Sequence, residues 1–154
     1  MSQNTSLTSL ANEEKKILLD LNESELNEFD LNGVKTYAKV LRVYDGDTIW
    51  VGCKIFGKYH KLNIRLLGYN SPEIRVAKSN PKRDEIKKAG YEAKDYLSDL
   101  INDQIVWVEF KEYGKFGRAL ADVYSIDWEQ EPPIKKIFVN KVMVEEGHGE
   151  EFYC

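Results

Sequence analysis

Three short segments of this chain carry side chains that could act on a phosphate. In Asp45-Gly46-Asp47-Thr48, two carboxylates flank a glycine. Hard cations such as calcium take oxygen ligands, carboxylates above all, close together on rigid backbone. The same Asp-Gly pair is a favoured hairpin turn, so the segment on its own is a weak indication. The second segment runs from Ile64 to Glu73 as Ile-Arg-Leu-Leu-Gly-Tyr-Asn-Ser-Pro-Glu. Arg65 there alternates with apolar neighbours on a strand expected to be central, where an unpaired guanidinium would be costly. It calls for a carboxylate or a phosphate, and a structural ion pair with Glu73 is the plainer alternative. Glu73 follows Pro72, which stiffens the loop. The third segment, Lys115-Phe116-Gly117-Arg118, sets a second arginine at the start of a strand behind a small residue and is, alone, a basic turn. Together the three fit the demands of phosphodiester hydrolysis. That reaction needs cations to neutralise the phosphate, a group to orient or deprotonate water, and donors that follow charge into a five-coordinate transition state.

The elements that must position these groups can be read from periodicity and punctuation. Residues 1–10 are rich in Ser, Thr and Asn and read as disordered. Ala11 to Phe29 reads as a helix carrying Ile17, Leu18, Leu21 and Leu26 on an apolar stripe, broken by Asn32-Gly33 and packed on the domain or on a partner. Val34–Tyr44, Thr48–Phe56 and Tyr59–Leu67 follow as three strands joined by Asp45-Gly46 and Gly57-Lys58, a meander. An irregular charged loop from Asn70 ends at Asn80-Pro81, a cap with proline in the first turn of a helix over 82–101. Its Ile86, Ala89, Ala93, Tyr96, Leu97 and Leu100 recur at spacings of three and four, and Gly90 weakens its middle. Gln104–Lys111 and Arg118–Ser125 are the fourth and fifth strands. Glu131-Pro132-Pro133 is a loop, and Phe138–Glu146 a short last helix stopped by Gly147. Three strands, a helix, two strands and a helix is the element order of a mostly β, α+β fold. It is that of a five-stranded OB-fold barrel with its helix between strands 3 and 4 and a short C-terminal helix.

A chain of 154 residues suits one domain, here residues 34–154, plus an acidic N-terminal extension over 1–33. The net charge of −4 conceals an uneven distribution: −5 over residues 1–33, +5 over 34–126 and −4 over 127–154. A polyanion is therefore admissible on the middle segment and not demanded by it. Cys53 and Cys154 read as reduced thiols rather than a bridge. No apolar run reaches membrane-spanning length and residues 1–10 lack the order of a secretory signal, which points to an intracellular protein without membrane association.

In this order and spacing the three segments resemble the thermonuclease family, typified by staphylococcal nuclease, over about residues 36–149. The resemblance implies an OB-fold phosphodiesterase, dependent on calcium and acting on DNA and RNA. By it Asp47 would ligate the metal directly with Asp45 behind it, and Asn70 and the Ser71 carbonyl would complete the oxygen set. Arg65 and Arg118 would grip the phosphate, Glu73 would orient or deprotonate water, and Lys115 would hold a terminal phosphate. Two positions depart from the family pattern. Asn70 stands where a second ligating aspartate is usual, which weakens calcium binding, and Phe116 stands where tyrosine is common, which deletes a hydroxyl contact. The family's last long helix is also lacking, and the N-terminal extension is expected to cover the same apolar surface.

Tyr69 and Tyr113 are candidates to stack on bases. His60, His148, Trp50, Trp107 and Trp128 read as packing or surface residues. The leading expectation is a monomeric, calcium-dependent nuclease with little base specificity, acting on single-stranded DNA, RNA or duplex DNA. Its rivals are a nuclease-like barrel that only binds nucleic acid or partners, and a plain single-strand-binding barrel with basic and aromatic residues along a groove.

Overall fold

The computed structural model describes the backbone of residues 2–113 and 118–152. Strands β1 (Lys35–Asp45), β2 (Thr48–Ile55) and β3 (Lys58–Leu66) form an antiparallel meander. After a two-residue strand β4 (Tyr69–Asn70) and a helix, β5 (Ile105–Tyr113) returns antiparallel to β1, with Lys35 opposite Glu109, and β6 (Ala119–Asp127) pairs with β5. A parallel pairing of β6 with β3, Arg65 opposite Leu120, closes the five strands into a barrel. This is the barrel that the element order predicts.

The strands form because apolar residues recur with the period of a pleated strand. On β2, Ile49, Val51, Cys53 and Ile55 are buried while Trp50, Gly52 and Lys54 are more exposed. On β6, Ala119, Ala121, Val123 and Ser125 point inward. One helix of the main body, which we number α2 (Arg83–Ile101) because a helix precedes β1, buries Gly90, Ala93, Leu97 and Ile101 at helical spacing. The short helix α3 (Val139–Glu145) buries Val139, Asn140 and Met143. Asn140 is a tie rather than filler. Its Nδ2 donates to the carbonyls of Leu67 (2.9 Å) and Ala121 (3.1 Å), and its Oδ1 accepts the Val123 N–H.

Three features differ from the expectations. Strand β7 (Ile134–Phe138) pairs outside the barrel on β6, where a loop and helix start were expected. Strand β4 is held by another two-residue strand, β8 (Glu150–Glu151). The N-terminal helix, α1, spans Ser2–Leu19, starting earlier and stopping sooner than the stripe suggests, and only a single 3-10 turn follows at Glu23–Glu25. Its apolar stripe is unburied: Ile17, Leu18, Leu19 and Leu21 are all exposed, as are Leu26 and Phe29. The chain joins the core at Leu31, which is buried, and the Gly33 N–H then donates to the Phe110 carbonyl. No helix among the described residues is long and apolar enough to cross a membrane.

Candidate active site

The β1–β2 turn sits at one end of the barrel, and what surrounds it explains its composition. Bulges in the β1–β2 pairing between Val40 and Arg42 and between Val43 and Asp45 re-aim the end of β1. A β-carbon on Gly46 would stand 2.6 Å from the Ser71 Cβ and 2.7 Å from the Ala93 Cβ. The turn is pressed against both the loop after β4 and helix α2, so glycine is there for close approach as well as for turning. The Leu66 N–H donates to the Asp47 carbonyl at 2.8 Å, and the buried Tyr69 hydroxyl donates to the Gly46 carbonyl at 2.7 Å.

Asp47 is buried, and its carboxylate is the hub of the cluster. One oxygen, Oδ1, accepts the Thr48 hydroxyl at 2.9 Å. The other, Oδ2, accepts the Ser71 N–H at 2.9 Å and lies 3.4 Å from Arg65 Nη1. Asp45 Oδ1 accepts the Asp47 N–H at 3.0 Å. Burial, helped by the Asp47 charge beside it, pushes the Asp45 carboxyl up to about 6. Arg65 also donates from Nη1 to the Leu66 carbonyl and from Nη2 to Asn70 Oδ1. Arg118 reaches in from the residue position just before β6, its Nη1 3.4 Å from Thr48 Oγ1. Thr48 sits opposite Arg65 in the β2–β3 register, so sheet pairing alone brings one arginine to the turn. The parallel β3–β6 pairing brings the other.

Asp45, Asp47, Arg65, Asn70, Ser71 and Arg118 are thus gathered at one place. The plainer reading of Arg65, a pair with Glu73, is not what forms: its carboxylate partner is Asp47. The Glu73 residue is exposed, and among the described residues its carboxylate makes no hydrogen bond or ion pair. Its backbone, by contrast, is seated, because the Glu73 carbonyl oxygen lies 2.5 Å from where a β-carbon on Gly90 would stand. Tyr69 is a correction. Its ring is fully buried and its hydroxyl is engaged, with burial pushing the phenol well above its ordinary value, so it braces the turn and offers no face to a base. Tyr113 ends β5 opposite Ala119. Lys115 and Phe116 lie outside the described residues. Sequence reasoning passed over Thr48, and it noted Gly90 only as a helix weakness. A glycine inside an otherwise regular helix is the cue that a backbone approaches closely.

The donors gathered here are hard oxygens: the carboxylates of Asp45 and Asp47 and the amide oxygen of Asn70. That chemistry suits a calcium-like cation rather than a soft metal. The two neighbouring carboxylates would also be relieved of mutual repulsion by one. The set is nonetheless lean, since no group of three or more His, Cys, Asp or Glu side chains arranged to hold a metal occurs among the described residues.

Fold and site together define a small five-stranded barrel with an acidic turn and two arginines converging at one end. The chain belongs to the family described as staphylococcal nuclease homologue, whose profile matches residues 63–153. A thermonuclease from Staphylococcus hyicus is 37% identical over 92 residues, covering 58% of this chain and 48% of that protein. An uncharacterized protein from Methanocaldococcus jannaschii is 32% identical over 103 residues, covering 57% and 48%. The chain spans about half the length of these curated relatives. The family match takes in Arg65, Asn70, Glu73 and Arg118 but begins after Asp45 and Asp47, whose place in the site rests on geometry.

Proposed function

We propose that this chain hydrolyses phosphodiester bonds of nucleic acid, DNA or RNA, with one calcium ion. The observation that carries this reading is the convergence of Arg65 and Arg118 on the Asp47–Thr48 turn. Two guanidiniums from neighbouring strands, beside a buried carboxylate, suit a transferring phosphate better than a structural ion pair, which needs one. Asp47 and Asp45, with Asn70 and the Ser71 carbonyl, would hold the cation. A divalent ion there supplies charge neutralisation for the phosphate and acidifies a water. Arg65, already steered by Asp47 and Asn70, places its donors where negative charge develops, and Arg118 does so from the β6 side. Glu73, exposed on a loop whose backbone is fixed against α2, is free to orient or accept a proton from the attacking water. None of these groups addresses a base, so little sequence preference follows. The relative from Staphylococcus hyicus, named a thermonuclease, supports the same reading.

A second reading has one observation in its favour. Asn70 lacks the charge of a carboxylate and its Oδ1 is engaged by Arg65, which fits a barrel that binds nucleic acid and cleaves it weakly or not at all. Degradation of single-stranded DNA and of RNA across a calcium titration, beside a Glu73→Gln variant, separates the two. Cleavage that requires calcium and collapses in the variant supports the enzyme. Binding without cleavage at any calcium concentration hands the case to the binding module.

A further inference from the structure

The cations of the barrel are paired very differently on its two sides. On the β5–β7 side, Lys135 is 3.2 Å from Glu109 and Lys111 is 3.9 Å from Asp122. Strands β1 to β3 and their turns carry seven Lys or Arg residues and only two acids, Asp45 and Asp47, both at the active-site end. On their outer face three of these cations lie against aromatic rings instead of carboxylates. Arg42 Cζ is 5.4 Å and Lys61 Nζ 4.8 Å from the Trp50 ring centroid, and Lys54 Nζ is 5.9 Å from that of Tyr59. Among the described residues none of these three cations has a salt bridge. A cation held by a ring keeps its full charge for another partner.

These residues form a row. On β3 Ile64 and Leu66 are buried, so alternation sends Tyr59, Lys61, Asn63 and Arg65 to the other face. Arg65 is the residue that enters the active site. From it to Tyr59 is six residues, about 20 Å of strand. Trp50 lies opposite Asn63, Gly52 opposite Lys61, and Lys54 opposite Tyr59. Tyr59 is 80% exposed and available for stacking.

We propose that the outer face of β1–β3 is a track for single-stranded nucleic acid leading to Arg65, with Arg42, Lys54 and Lys61 on phosphates and Tyr59 and the Trp50 edge against bases. This deepens the nuclease reading and rests on it only for what happens at the end of the track. Unpaired cations interleaved with rings at strand spacing match a strand that offers one phosphate and one π-face per nucleotide. The same β2–β3 face serves oligonucleotides in other barrels of this architecture. A duplex hides its bases, and an anionic bilayer would want the apolar residues gathered rather than interleaved.

The test is binding, kept apart from cleavage. The full chain carrying Glu73→Gln is titrated, in calcium chelator, with a labelled oligothymidylate of about 12 nucleotides, within the range one such barrel covers. Salt is varied, and phosphatidylserine vesicles are run in parallel. Arg42→Gln with Lys61→Gln is expected to lower the slope of log affinity against log salt by about 1.4, two single-strand phosphate contacts. Tyr59→Ala is expected to weaken binding roughly fivefold with the slope kept, the lower end of a lost base stack. Lys88→Gln with Lys136→Gln removes equal charge from exposed sites off this face and is expected to leave the slope alone. Equal effects of the two pairs, no effect of Tyr59→Ala, or binding confined to the vesicles would overturn the track. A chain that cleaves with calcium yet ignores these substitutions sinks the track alone. One that binds through this face and never cleaves keeps the track and sinks the nuclease.

Discussion

The backbone carbonyl of Glu73 occupies the space that a side chain at Gly90 would need, 2.5 Å from the ideal β-carbon position, with the Pro72 carbonyl at 3.0 Å. Helix propensity alone makes Gly90→Ala stabilising by about 1 kcal/mol, because glycine is costly in a helix interior. The contact reverses that sign, since the atoms in the way are backbone and cannot swing aside. Gly90→Ala is expected to destabilise by about 1–3 kcal/mol, the scale of an overpacked core, and to lower cleavage further by shifting Glu73. Urea unfolding decides it. A more stable variant would mean that α2 does not seat this loop.

Asp47, itself buried, accepts from Thr48 and Ser71 and faces the half-buried Arg65. Asp47→Asn keeps the shape but turns one acceptor into a donor facing other donors and leaves Arg65 without its counter-charge. A loss of about 3 kcal/mol is expected. Thermal melts in chelator isolate this structural role from metal binding, and an unchanged melting temperature there would refute it.

Much of this was legible in the sequence, for identifiable reasons. The period-two burial of Ile49, Val51, Cys53 and Ile55 and the helical spacing of Ala93, Leu97 and Ile101 are local patterns, and they set the element order of the barrel. Strand β7 was not legible: Ile134–Phe138 follows two prolines, lacks alternation and owes its conformation to pairing with β6. The carboxylate partner of Arg65 was left open in the sequence, where Glu73 was the plainer alternative; strand register sets Thr48, and with it Asp47, alongside the arginine. Tyr69 looked available beside the motif. Its burial depends on Gly149, far along the chain, where any β-carbon would collide with the ring.

In metal-free protein the Asp45 carboxyl stands at about 6, raised from 3.8 by burial and by Asp47. A raised carboxylate favours the protonated folded state. Between those two values the folded chain holds a proton that the unfolded chain has released, so stability falls as pH rises through the window. The penalty is fully present above about pH 6. Asp45→Asn removes it. In chelator the variant is expected to melt higher than the parent at neutral pH, with the advantage shrinking toward pH 4. An advantage that is flat with pH, or that grows in acid, would contradict the assignment.

The N-terminal helix shows Leu10, Ile17, Leu18 and Leu19 to solvent, and the chain joins the barrel's core at Leu31. Among the described residues, the expectation that this segment covers an apolar surface of the domain has only the Phe29–Phe56 ring pair in its favour, centroids 6.0 Å apart and both rings largely exposed. Deleting residues 1–29 is expected to shift the melting temperature by less than about 2 °C, under 1 kcal/mol for a domain of this size. A much larger drop would show that the segment does cover the barrel in solution.

On the proposed reading, Asn70 would set the affinity for the cation. Its Oδ1 accepts from Arg65, and it would contribute an oxygen without a charge to a set whose only charged members are Asp45 and Asp47. Asn70→Asp keeps the acceptor, strengthens the bond to the guanidinium by making it charge-assisted, and adds one negative charge to the oxygen set. Tighter calcium binding follows from ligand charge. The calcium midpoint for cleavage is then expected to fall severalfold, and calorimetry should report the same change without any substrate. The two readouts also part the two functional readings. If calorimetry tightens while no cleavage is gained at any calcium concentration, the site binds a cation and the chain remains a binding module. If neither moves, Asn70 does not face the cation, and the oxygen set must be drawn from Asp45 and Asp47 without it.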